Sequence, residues 1–61
     1  MDNKYYGVIR KIRDNFYRVS LRQGICEELL NFYHSYEEAY EAADYYSDHD
    51  AEVIDLTDES K

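Results

Sequence analysis

On either side of Asp14-Asn15 the chain alternates with period two, and no other feature restricts its fold as much. Before that dipeptide Tyr6, Val8 and Ile12 alternate with Ile9, Lys11 and Arg13; after it Tyr17, Val19 and Leu21 alternate with Arg18, Ser20 and Arg22. Two such runs joined by residues that tolerate positive φ predict a β-hairpin. With Asp14 and Asn15 as the loop, Ile12 faces Tyr17, Arg10 faces Val19 and Val8 faces Leu21. Tyr6, Val8, Ile12, Tyr17, Val19 and Leu21 then share a buried face. Gln23-Gly24 is a second turn signal, and a third strand over residues 25–34 would bring Cys26, Leu30 and Phe32 to that face. A helix starting near Cys26 competes with this strand, because Leu29, Tyr33, Tyr36, Tyr40 and Ala43 also recur at helical spacing.

Ser35-Tyr36-Glu37-Glu38 has the S-x-x-E form of a capping box, in which the hydroxyl and the carboxylate satisfy the free amides of a helix start. The helix predicted over residues 36–47 carries an apolar stripe of Tyr36, Ala39, Tyr40, Ala43 and Tyr46, and turns Glu37, Glu41, Asp44 and Asp48 outward. Asp48-His49-Asp50 ends it, residues 52–57 read as a short last strand, and residues 58–61 form an acidic tail expected to fray. The expected fold class is α+β: a three-stranded antiparallel meander packed by one helix, plus a short C-terminal strand (β-β-β-α-β). Residues 1–57 make one domain, with Tyr17, Val19, Leu21, Leu30, Ala39, Ala43 and Ile54 in its core.

A chain of 61 residues has room for one small core. Such a core supplies only about 3–5 kcal/mol, so self-association or partner binding is a common supplement and a homodimer is expected. Cys26 stands alone and cannot form an internal disulfide, and no apolar segment precedes the first charges. A reducing, cytoplasmic setting without a membrane span follows.

Net charge is -7, but it is divided along the chain. Residues 1–26 hold six bases (Lys4, Arg10, Lys11, Arg13, Arg18, Arg22) against Asp2 and Asp14, which is +4; residues 27–61 hold twelve acids against Lys61, which is -11, and the two recover -7. Net acidity argues against nonspecific binding of nucleic acid or anionic membrane as the whole function, but leaves room for a local basic face.

That local face is the outside of the hairpin, where Tyr5, Ile9, Lys11, Arg13, Phe16, Arg18 and Arg22 interleave bases with aromatics and apolar residues. Sheets of this composition read a major groove or stack bases. Over residues 5–47 the layout resembles the three-stranded-sheet-plus-helix DNA-binding domains at the N-terminus of phage-type integrases. The resemblance is in layout and carries no residue across; the face itself supplies Tyr5, Lys11, Arg13, Phe16, Arg18 and Arg22 for nucleic-acid binding as an alternative function. On the inner side, Arg10 and Glu28 flank Val19, and a buried charge demands a partner, so an Arg10–Glu28 ion pair is expected across the middle strand.

Catalytic and metal chemistry find no pattern here. Cys26, His34 and His49 lack recurrent zinc-ligand spacing, so no metal or other cofactor is expected. There is no glycine-rich phosphate loop, no H-E-x-x-H and no G-x-S-x-G, and the carboxylates lie mostly on one solvated helix face. The chain reads as no enzyme.

Val53-Ile54-Asp55-Leu56-Thr57, followed by Asp58-Glu59-Ser60, looks like a SUMO-interaction motif. That resemblance implies strand addition to a partner, with Val53, Ile54 and Leu56 in its groove, as a further alternative. The most extreme feature is the acid array from Glu37 to Glu59, interleaved with Tyr40, Tyr45 and Tyr46. Carboxylates spaced along a rigid helix present a phosphate-like row to a basic channel, and tyrosine is a low-entropy interface anchor. Very small, acidic, Cys-poor proteins of this kind are similar to phage-encoded anti-defence inhibitors, DNA mimics and anti-CRISPR proteins among them. The expected function is therefore that of a non-enzymatic acidic inhibitor. It would occupy the nucleic-acid-binding surface of a basic protein partner through Glu37, Glu41, Asp44, Tyr45 and Asp48.

Overall fold

The structure, a computed structural model, describes residues 4–59. Strands β1 (Tyr5–Arg13), β2 (Phe16–Gln23) and β3 (Cys26–Tyr33) are followed by helix α1 (Tyr36–Tyr46), strand β4 (Ile54–Asp55) and a 3-10 turn over Thr57–Glu59. The sheet order is β3-β2-β1-β4, antiparallel except for β4, which runs parallel to β1. The meander, the helix and the short last strand are all present, and the segment after Cys26 is a strand. The last strand is shorter than the 52–57 expected, and Ser60 and Lys61 of the expected fraying tail lie outside the described residues.

Both turns use a residue at positive φ, Asn15 at 59° and Gly24 at 60°. Arg13 pairs with Phe16 across Asp14-Asn15, as the expected loop requires, but the register shifts between Lys11 and Arg13. Ile12 is the extra residue of a β-bulge. Beyond it Lys11 pairs with Tyr17, Ile9 with Val19 and Gly7 with Leu21. Because strand side chains alternate, this one-residue shift moves every β1 side chain before the bulge to the opposite face. Ile9, expected outside, is fully buried in the core, and Ile12, expected inside, is 49% exposed. Val8 is fully buried too, opposite Ser20, on the face turned away from the helix.

A second shift, between Val19 and Ser20, makes Leu30 the extra residue of β3. Leu30 and Tyr33 pack against the core of Ile9, Val19, Ala39 and Ala43, together with Tyr17 and Val53. Phe32, expected in that core, lies instead opposite Arg18 on the other face, and Cys26 is exposed. Leu21 and Ile54 are half-buried.

Helix α1 buries only Ala39 and Ala43; the stripe's tyrosines lie on its flanks, with Tyr36, Tyr40 and Tyr46 38%, 44% and 47% exposed. Two alanines let the helix sit very close to β1. A Cβ at Gly7 would lie 2.2 Å from the Ala43 carbonyl oxygen, so glycine is required there by contact alone. Ser35 caps the helix as expected: its Oγ accepts from the Glu38 amide at 3.2 Å and donates to the Glu38 carboxylate at 3.3 Å. Ser35→Ala is expected to cost about 1 kcal/mol, a fall in Tm of about 4–8 °C in a thermal melt.

The helix exit also closes one edge of the sheet. Tyr5 donates its amide to Asp48 Oδ2 and accepts from the Asp48 amide, both at 2.9 Å, and the Gly7 amide donates to Ser47 Oγ at 2.8 Å. Ile9 O then accepts from the Leu56 amide at 2.9 Å. From Tyr5 to Ile9 these outward groups of β1 are satisfied in sequence by the residues that follow the helix.

Candidate functional site

Glu37, Glu41 and Asp44 recur at i, i+4 and i+7 and form one stripe along α1. All three are exposed, and among the described residues no cation of the chain pairs with them. Tyr45 stands beside them, 80% exposed, with its ring edge-on to Tyr46 at 5.1 Å. Asp48 does not extend the free row, because its carboxylate is held by the Tyr5 amide.

The bases face the other way. Arg13, Phe16, Arg18 and Arg22 share the sheet face opposite the helix by register. The Arg13 guanidinium lies 5.1 Å above the Phe16 ring, which stacks on Phe32 at 5.2 Å and tilts against His34 at 5.7 Å. Arg18 Nε is buried there without a hydrogen-bond partner. Tyr5 and Lys11 leave this group, since the bulge turns them to the helix side; Tyr5 lines a hollow with Leu21, Gln23, Cys26 and Glu28, and Lys11 pairs with Asp14 at 3.2 Å. Phe32 joins this face through the bulge at Leu30, which leaves no sign in the sequence.

Arg10 does find an acid across the middle strand, but it is Glu27 and not the expected Glu28. The β1 bulge sends Arg10 to the face opposite the helix, where Glu27 rather than Glu28 points. The fully buried Ser20 hydroxyl donates to the same carboxylate, so the network spans three strands. Hydrogen bonds from Arg10 and then Ser20 outweigh desolvation and hold the Glu27 carboxyl below its ordinary 4.5. A depressed folded pKa means that the ionised form favours the fold, so its contribution is complete above about pH 4.5 and fades as pH falls through the folded value. Glu27→Gln is expected to lower stability at pH 7 and to flatten the pH dependence below 4.5, read by denaturant titration at several pH values.

On the helix side Tyr36 donates its phenol to Asp55, and Asp55 Oδ1 accepts from the Thr57 amide (3.0 Å) and hydroxyl (2.7 Å). The bond to Asp55, with burial, pushes the Tyr36 phenol up to about 12. Desolvation pushes Asp55 upward, but the Tyr36 and Thr57 bonds prevail and its carboxyl lies below the usual value. Within the motif-like segment 53–57, Val53 packs on the core, Ile54 pairs with Val8, and the Leu56 amide bonds Ile9. In this molecule the segment closes its own sheet.

Among the described residues no group of three or more His, Cys, Asp or Glu is placed to hold a metal ion, and no helix is long and apolar enough to cross a membrane. The geometry defines a small α+β protein with an acidic helix layer and a basic, aromatic sheet face. No protein-family model matches the chain, and no curated protein or solved structure matches it either.

Proposed function

We propose that this protein is a non-enzymatic binder whose helix face, with Glu37, Glu41, Asp44 and Tyr45, docks on the basic surface with which a partner protein holds nucleic acid, an inhibitor of the DNA-mimic, anti-defence kind. One observation carries this reading: among the described residues the helix acids pair with no cation, whereas most of the described bases are engaged internally. Lys4 pairs with Asp50, Arg10 with Glu27 and Lys11 with Asp14, and Arg13 lies over Phe16. An unpaired row of carboxylates on a rigid helix keeps its field for a partner. The experiment is displacement: the protein captures its partner from host lysate, and duplex DNA or RNA is then added. Release of the partner by nucleic acid is expected; a partner that stays bound while also taking up the duplex contradicts the reading.

A second reading is favoured by one contact, the buried and unpaired Arg18 Nε on the face shared with Arg13, Phe16 and Arg22. That face would hold nucleic acid directly. Its test is duplex affinity against salt, which falls steeply where phosphates replace counterions. Submicromolar binding at physiological salt, lost in Arg18→Ala with Arg22→Ala, would establish it over the first.

A further inference from the structure

The dipeptide Tyr36-Glu37 recurs one helical turn later as Tyr40-Glu41. Residues four apart lie above one another on a helix, so the repeat sets two rings in one line and two carboxylates in the next. The rings meet at an angle, their centroids 6.0 Å apart and their planes 42° apart. Beside them lies an open hollow of about 310 Å³ lined by Tyr36, Glu37, Tyr40 and Glu41. That is the lower end of the range of roughly 300–1,000 Å³ for small-ligand pockets, enough for one side chain.

One wall of the hollow is fixed. The Tyr36 phenol is tied to Asp55, and its ring meets Tyr17 edge-on at 5.9 Å and 69°. Tyr40, 44% exposed, supplies the more open wall. We propose that this notch receives a guanidinium, so that an arginine of the basic partner packs against the open side of the two rings with its fork on Glu37 and Glu41. The inference deepens, and rests on, the reading of the acidic helix face as the interface.

Exposed carboxylates alone hold a cation weakly in water. A ring face adds attraction for a cation, and a wall already ordered lowers the entropy lost on binding. Arginine fits both elements at once, because its planar group stacks on a ring while its edge reaches carboxylate oxygens. A lysine ammonium is a compact, strongly hydrated charge and gains less from the walls. Among the described residues no cation lines the hollow.

The test uses the full chain with labelled tyrosine rings and glutamates, titrated with the N-acetyl methylamides of arginine, lysine and citrulline and read by NMR. The arginine derivative is expected to move the Tyr36 and Tyr40 ring signals saturably, the lysine derivative to bind about threefold more weakly, and neutral citrulline to do nothing. Tyr40→Leu, which keeps apolar bulk and removes the aromatic face, and Glu41→Gln, which keeps shape and removes charge, should each weaken arginine binding about three- to fivefold. Asp44→Asn should leave it unchanged. Equal shifts from arginine and lysine spread over all the exposed carboxylates, or an unaltered Tyr40→Leu, would overturn the notch. Displacement of the partner by nucleic acid is measured separately, so such a result would leave the acidic face standing as a diffuse field.

Discussion

Gly7→Ala is expected to abolish cooperative folding. The added methyl would lie 2.2 Å from the Ala43 carbonyl oxygen and 2.6 Å from its carbon and Cα. These are backbone atoms, so no rotamer change relieves the clash; α1 must move off β1. Moving it uncovers Ile9, Val19, Ala39 and Ala43, which are the centre of the core. Overpacking typically costs about 1–3 kcal/mol where side chains can adjust, and more where they cannot, against a total of about 3–5 kcal/mol for a domain of this size. Circular dichroism should therefore show no cooperative melt. Gly24→Ala is the control: nothing lies within 4 Å of its Cβ position, and the strain of its φ of +60° should cost only about 1–2 kcal/mol. A Gly7→Ala protein melting like the parent would mean that the helix does not sit this close to β1.

Glu41→Lys combined with Asp44→Lys is expected to abolish partner binding while the fold persists. Both side chains are exposed and unpaired among the described residues, lysine has good helix propensity, and Asp44 lies in the last turn, where a cation suits the helix dipole. The reversal therefore removes recognition without removing structure. It turns two attractions into two repulsions within a Debye length of about 8 Å at physiological salt. Arg18→Ala with Arg22→Ala should leave binding nearly intact. Capture and thermal melts of the three proteins side by side read both effects, and capture that survives the double lysine variant would refute the acidic interface.

The parts of this structure governed by local chemistry are legible in the sequence. Asp14-Asn15 and Gln23-Gly24 mark turns because few residues accept positive φ, and Ser35 marks a helix start because its hydroxyl satisfies the free Glu38 amide, while the Glu38 carboxylate takes the Ser35 hydroxyl rather than a backbone group. The stripe of Glu37, Glu41 and Asp44 was legible for the same reason, since helical spacing fixes a face. What was hidden were the bulges at Ile12 and Leu30. A bulge is chosen by tertiary packing, here by the fit of Ile9 beneath two alanines, and Ile9 and Ile12 are chemically identical. From that one misplacement follow the exchange of Ile9 for Ile12 in the core, the change of Arg10's partner from Glu28 to Glu27, and the turn of Tyr5 and Lys11 away from the basic face. Nothing in the sequence marks Gly7 as the point where the helix touches the sheet, because that contact is set by tertiary packing.

The central claim is that the helix layer, not the open sheet face, meets the partner. The most direct measurement is an NMR map of the labelled protein titrated with its captured partner. The account predicts shifts and line broadening at Glu37, Tyr40, Glu41, Asp44 and Tyr45, with Arg13, Phe16, Arg18 and Arg22 unperturbed. Perturbation confined to those four sheet residues, with the helix signals unchanged, would contradict it.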